Sequence, residues 1–307
     1  SYRPGESLSI PPTRLIHADI DPQEIGKNYP VACGLVGDAK AILAGLLAAV
    51  RALAPARAWA GSAYVREIAD QVTAWQDRSR AWRECDSEPV TMGRAIAEIR
   101  AVLPPEAVVT TSSGNIQAQV FQEMPFRLPR TYLSAGGFST MGWAYPAALG
   151  ARLARPEAPA VALVGDGDFL MTIQELATAV QHHIPAVAVV FNNVGWQAIR
   201  DLQLAAYGEG TVYATLFERE GQPVTPCIAD AARAFGALGV RVSRPGEVGP
   251  ALRLALESGE PAVVEVMVDR SPGASGGLAP GWWDVPVPPS LPERRAAWEQ
   301  GRREERV

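Results

Sequence analysis

Residues that carry chemistry are scarce in this sequence, and each scarcity excludes something. Its 307 residues include three cysteines and three histidines. Cys33, Cys85 and Cys227 are far apart and odd in number, so they make neither a disulfide framework nor a zinc motif; a reducing, cytoplasmic setting is expected. No apolar run reaches the ~18 residues that suggest a membrane span. The longest candidate, Ala41 to Val50, is followed at once by Arg51. Positive charge is in slight deficit, 28 Lys and Arg against 33 Asp and Glu, and no basic cluster is interleaved with aromatics. Neither nucleic acid nor a membrane is therefore an expected partner. The opening residues, Ser1 to Glu6, show no signal-peptide pattern. No internal repeat is visible.

What is present is apolar sequence, 48% of the chain, enough to bury one large domain or one and a half ordinary ones. Residues 13–20 read as a strand ending at Asp21-Pro22. A second short strand follows near 32–36, and Gly37-Asp38 opens a helix from Ala39 to about Leu53. This first piece, 1–55, is too small to bury its own core, and a sheet made from it alone would have bare edges. Its neighbours are expected to come from elsewhere. Residues 56–88, rich in Arg, Asp, Glu and Trp, read as a helical linker.

From 89 to 270 helix and strand alternate. Helices are expected at 92–103, 141–153, 170–182, 228–235 and 245–257, and strands at 107–111, 160–164, 186–191, 240–242 and 262–268. The strands are short apolar runs without strict alternation, as expected when both faces of a sheet are covered. The fold class is therefore α/β, a doubly wound parallel sheet with helices on both faces. Residues 271–307 change character, to Gly, Pro and the Trp282-Trp283 pair and then a charged helix from Glu293 to Arg306, and read as a tail or lid.

One segment is chemically odd. Val164-Gly165-Asp166-Gly167-Asp168-Phe169 falls at the carboxyl end of a strand and the start of a helix, the edge where open parallel sheets bind ligands. Glycines let the backbone approach a phosphate closely, and helix-start N–H groups favour anions. A carboxylate there is repulsive unless a cation intervenes, so Asp166 implies a cation. A second ligand is at hand in Asn193, which ends the next strand 27 residues after Asp166. One helix and one strand fill that interval, and a right-handed crossover brings both residues to the same sheet edge. A carboxylate, an amide oxygen, a backbone carbonyl and two phosphate oxygens suit octahedral Mg²⁺. The absence of histidine and thiolate argues against zinc.

Gly-Asp-Gly followed at this interval by Asn192-Asn193 is the thiamine diphosphate (ThDP) signature. Residues 89–268 resemble the diphosphate-binding domain of the acetolactate synthase/pyruvate oxidase/benzoylformate decarboxylase superfamily, in Ser134 to Trp143, Gly165 to Phe169, Ile173 to Thr178 and Phe191 to Asn193. Residues 11–53 resemble the last portion of that family's Rossmann-like middle domain, in Ile16 to Pro22 and Val36 to Asp38. The resemblance implies that Asp166 and Asn193 bind Mg²⁺ by side chain and Gly195 by its carbonyl. It implies that Gly165, Gly167 and Asp168 form the diphosphate-binding turn, with contacts added by Gly114 and Asn115. Met141 would be the bulky residue under the waist of a bent cofactor, and the Ser139 carbonyl and Met141 N–H would bond the aminopyrimidine. Trp196, after the metal-binding turn, is placed with the cofactor residues, and both a pocket-lining and a packing role stay open for it.

No catalytic residue is assigned. In that family the activating glutamate bonds N1′ of the aminopyrimidine and lies on a pyrimidine-binding domain N-terminal to the middle domain, and no glutamate here matches it. The resemblance thus implies a complementary chain with the pyrimidine-binding domain and the rest of the middle domain, in dimers or tetramers of such pairs. The implied activity is acetolactate synthase-like formation or cleavage of a C–C bond beside a carbonyl, on a 2-oxo acid. The alternatives are simple decarboxylation, hydrolysis or lysis of a diketone or acyl-CoA, and a non-catalytic cofactor-binding subunit. FAD, held by some relatives, gains no support from these residues. Glu175, His17 and His182-His183 read as structural.

Overall fold

The computed structural model describes residues 13–54, 59–270 and 286–305. Trp282-Trp283, and with them the expectation of a lid, lie outside these residues. The described residues fall into two compact units, the smaller holding 13–73 and 286–305 and the larger 74–270.

In the smaller unit β1 (Ile16–Asp19) pairs in parallel with β2 (Cys33–Val36), Ile16 opposite Cys33. Asp38 then caps α1 (Ala39–Leu53), accepting from the N–H groups of Lys40 and Ala41 at 3.0 and 3.2 Å. Those are donors that a first helical turn leaves without partners. Helix α1 carries Leu43, Leu46, Leu47 and Val50 at helical spacing, yet none of its residues is buried. The chain passes to the larger unit within α2 (Ala63–Arg83).

The larger unit runs α3 (Met92–Val102), β3 (Val108–Thr111), α4 (Asn115–Glu123), β4 (Tyr132–Ser134), α5 (Ala144–Ala154), β5 (Ala160–Gly165), α6 (Asp166–Leu170), α7 (Glu175–Gln181) and β6 (Val187–Asn192). It continues with α8 (Gln197–Tyr207), the hairpin β7 (Glu218–Arg219) and β8 (Gln222–Pro223), α9 (Ile228–Ala234), β9 (Leu238–Val242), α10 (Val248–Glu257) and β10 (Ala262–Met267). Helix α11 (Pro292–Glu305) belongs to the smaller unit.

Six strands form one sheet in the order β4-β3-β5-β6-β10-β9, every neighbour parallel. Side chains alternate between its faces. Val161 and Leu163 of β5 join Ile96, Val120 and Leu252 on one side, whereas Ala162 and Val164 join Tyr145, Leu176 and Ile228 on the other. Two cores thus sandwich the sheet, which is why its central strands β5 and β6 are apolar nearly end to end. The strand order reverses at β3, since β4 lies on one side of it and β5 on the other. The crevice at such a reversal, outside the carboxyl ends of the strands, is the favoured ligand position of an open α/β sheet.

Several elements depart from the expectation. The helix expected over 170–182 starts only at Glu175, as α7; α6, not expected, ends at Leu170, and between them the Thr172 hydroxyl donates to the Gly142 carbonyl at 3.1 Å. The helix expected from Met141 starts at Ala144, since Gly142 is left-handed (φ 79°) and the Ala144 N–H donates to the Ser112 hydroxyl at 2.7 Å. Helices α4 and α8 were not expected; they start at Gly114 and Trp196 without a side-chain cap, so the sequence carries no start signal for them.

Candidate active site

Strand β5 delivers Asp166 to the carboxyl edge of the sheet. Its side chain is buried, and both oxygens accept backbone N–H groups, Oδ1 from Gly167 at 2.9 Å and Oδ2 from Gly195 at 3.0 Å. Burial pushes its carboxyl up to about 6, against the N–H groups of Gly195 and Gly167, which hold it down. A carboxylate whose charge is disfavoured by burial is the one a bound cation would relieve.

The neighbouring strand β6 delivers the second candidate ligand. Asn193 is buried, and its Oδ1 has no hydrogen-bond partner. An orphaned buried acceptor costs ~1–3 kcal/mol, which a cation at that oxygen removes. Past it the turn is tight: Val194 has φ 60° and Gly195 φ 158°. A Cβ on Gly195 would stand 2.5 Å from the Thr215 carbonyl oxygen, so only glycine fits there. Among the described residues no group of three His, Cys, Asp or Glu is placed to hold a metal. The donors here are instead a carboxylate, an amide and a carbonyl, a hard-oxygen set suited to Mg²⁺.

Gly167 approaches another surface just as closely. A Cβ there would lie 2.0 Å from Nε1 of Trp196, whose ring meets Phe217 edge-on at 5.3 Å. Gly114, Asn115, Met141, Gly165, Asp166, Gly167, Asp168, Asn193, Gly195 and Trp196 all line one cavity. Residues far apart in sequence thus meet at the strand-order reversal. The profile of the thiamine pyrophosphate enzyme C-terminal TPP binding domain matches residues 112–266, and that of the central domain of the same enzymes matches 3–46.

The chain belongs to the thiamine pyrophosphate enzymes.

Among its relatives is a probable acetolactate synthase large subunit of Methanocaldococcus jannaschii, 33% identical over 84% of this chain and 43% of the relative. The acetolactate synthase large subunit of Corynebacterium glutamicum is 34% identical over 84% of this chain and 40% of its own length. A sulfoacetaldehyde acetyltransferase of Alcaligenes xylosoxydans xylosoxydans is 29% identical over 85% and 46%. The chain spans less than half the length of these relatives.

In this member of the thiamine pyrophosphate enzyme family, further ties surround the cavity. Asp168 Oδ1 accepts the Gly142 N–H, tying α6 to the loop that carries Met141, while its Oδ2 is buried without a partner. Burial raises its carboxyl above the ordinary value. Ser139 is left-handed (φ 55°) and does not line the cavity; its hydroxyl reaches it through Ser113, at 3.2 Å. The Asn115 side chain donates to Asp201 Oδ2 at 2.9 Å, and Gln197 donates to Asp201 Oδ1 at 2.7 Å, so Asp201 joins the starts of α4 and α8. Glu175 accepts from the Thr178 hydroxyl at 3.0 Å, and His17 accepts the Gly26 N–H at 3.2 Å, both local structural contacts.

Sequence reasoning missed Asp201, Gln197, Glu265 and Arg270. Glu265 alone carried a signal, as the one charge inside the apolar run Ala262 to Met267.

Proposed function

We propose that this chain is the diphosphate- and Mg²⁺-binding portion of a cytoplasmic ThDP-dependent enzyme that forms or breaks a C–C bond beside a carbonyl. The reading is acetolactate synthase-like, on a 2-oxo acid. The observation that carries it is the buried, unpartnered Oδ1 of Asn193, one turn from the Gly195 N–H that binds Asp166, in a single cavity. Asp166, Asn193 and the Gly195 carbonyl would hold Mg²⁺, and the backbone of Gly167 and Asp168 the diphosphate. When bound, ThDP supplies the carbon nucleophile. The chain's own work is positioning: Met141 and the Ser139 backbone would fix the aminopyrimidine end, and Trp196 and Ile199 wall the cavity.

The activating glutamate is assigned to a complementary chain or segment with the pyrimidine-binding domain and the remainder of the middle domain. The exposed leucines of α1 and the two-stranded sheet beside it support this, since among the described residues both lack the cover that such elements need. The similarity to sulfoacetaldehyde acetyltransferases favours a second reading, acetyl transfer. Product analysis with pyruvate, ThDP and Mg²⁺, on the chain joined to its complement, separates the activities: acetolactate is expected, while acetaldehyde would select decarboxylation. Acetyl transfer instead requires turnover of sulfoacetaldehyde. The 307-residue chain by itself is expected to bind ThDP weakly and turn nothing over; sustained conversion of a 2-oxo acid by it alone would refute the assignment of the glutamate.

A further inference from the structure

We propose that Glu265, acting through Asn192, sets the shape of the cation-binding turn, so that the two adjacent asparagines do different work. Asn193 is the ligand, and Asn192 is the pin that aims it. The inference rests on the reading of Asn193 and Gly195 as metal ligands.

Glu265 lies mid-strand in β10 and is wholly buried, a costly place for a charge unless its hydrogen bonds are complete. They are well supplied. Oε1 accepts from the Asn192 side-chain amide at 2.7 Å, and Oε2 accepts the Ala229 N–H at 3.0 Å. The Cys227 thiol at 3.6 Å and the Arg241 guanidinium at 3.9 Å stand on the same oxygen. The strand register brings the two side chains to one face. Glu265 pairs with Val190 and Met267 with Asn192, so Glu265 and Asn192 are diagonal neighbours on one face of the sheet.

The bond fixes which way the Asn192 amide points. With its nitrogen on Glu265, and more loosely on the Thr225 hydroxyl at 3.5 Å, Oδ1 faces forward, where it accepts the Val194 N–H at 3.0 Å. That contact closes a side-chain turn across Asn193. It holds Val194 at φ 60°, a conformation that β-branched residues seldom adopt unaided. Arg270, just past β10, secures the far side by donating to the Asn193 carbonyl at 2.9 Å and the Val194 carbonyl at 3.3 Å. The turn so held places the Gly195 N–H on Asp166 and leaves Asn193 Oδ1 without a protein partner. Glu265 and Asn192 are positioning residues; neither is itself a ligand in this scheme.

The bond can be reversed chemically. Glu265→Gln leaves one acceptor for two N–H donors, those of Asn192 and Ala229. Asn192→Asp places two carboxylates together. Combined, the introduced amide donates to the introduced carboxylate, and its oxygen still accepts from Ala229. The measurement is Mn²⁺ affinity of the full chain in the presence of ThDP, by electron paramagnetic resonance, with thermal unfolding of each protein alongside. Each single substitution is expected to weaken Mn²⁺ at least about tenfold, as loss of groups that orient metal ligands does, and the double substitution to recover most of that loss. Singles that bind as the unchanged chain does, whatever their melting temperatures, would overturn the proposal, as would a folded double variant no better than the singles. If the singles do not fold, a folded double variant with near-native Mn²⁺ affinity supports it and a tenfold weaker one overturns it. Failure of the metal reading itself shows differently: the unchanged chain would take up no Mn²⁺, or Asp166→Asn would leave uptake undiminished.

Discussion

Gly167→Ala is the sharpest test of how the cavity is built. The three atoms nearest an added Cβ all belong to Trp196: Nε1 at 2.0 Å, Cδ1 at 2.3 Å and Cε2 at 3.3 Å. Ordinary contacts between such atoms are ~3.5–4.0 Å, so the indole must retreat by roughly 1.5 Å. It can do so, being 39% exposed. Retreat sacrifices its edge-on contact with Phe217, worth ~0.5–1.5 kcal/mol, and forces repacking at ~1–3 kcal/mol. Both costs arise in the free folded chain, so a net of about 2 kcal/mol falls on stability. The assay is chemical denaturation of the unchanged chain, Gly167→Ala, Trp196→Ala and the double variant. If Trp196 is the sole obstacle, the double variant is as stable as Trp196→Ala alone, and the coupling between the sites is about 2 kcal/mol. Additive losses, with coupling under about 0.5 kcal/mol, would refute the argument.

Acidity should act on the site through Asp166. Cation binding needs its carboxylate, so with the carboxyl at about 6 in the empty chain, Mg²⁺ affinity measured by titration calorimetry should fall about tenfold per unit below pH 6 and level off above pH 7. The same rise, from 3.8 to about 6, has the opposite sign for folding. The empty chain gains up to about 3 kcal/mol from protonation, a gain complete below pH 3.8 and lost as pH rises through 6, visible as a lower melting temperature at neutral pH that Mg²⁺ with ThDP restores. Gly195→Ala should abolish metal binding in calorimetry and lower stability by about 2–4 kcal/mol, from a Cβ against the Thr215 carbonyl and a φ of 158°. Gly239→Ala sets a Cβ 2.0 Å from the Ala229 carbonyl oxygen, backbone against backbone; denaturant melts should show a loss of about 2 kcal/mol or more.

The candidate site could be drawn from the sequence because its candidate ligands ride on strand ends. Asp166 and Asn193 each close an apolar run, and parallel topology alone brings such ends to one edge. Helix α1 was legible because Asp38 announces its start. What stayed hidden was built by contacts distant in sequence. The break between α6 and α7 carries the bond from Thr172 to Gly142, a tie of 30 residues that no local pattern shows. Helices α4 and α8 begin on uncapped residues, and β4 is three residues long at a sheet edge. Asp201 carried no signal, since α8 itself was not expected and its partner Asn115 is distant in sequence. Glu265 could have been noticed as a charge in a buried strand; its partner could not, because the register of β10 on β6 decides it.

The place of β5 and β6 in the sheet has a consequence in time. Two strands lie beyond each of them, and β6 is buried along its whole length. Amides in such strands exchange with solvent only when the domain unfolds as a whole. The turn from Asn193 to Gly195 is buried beside them and bonded to Asp166, Asn192 and Arg270. The polypeptide that frames the cavity at this edge thus ages on the slow clock of global unfolding.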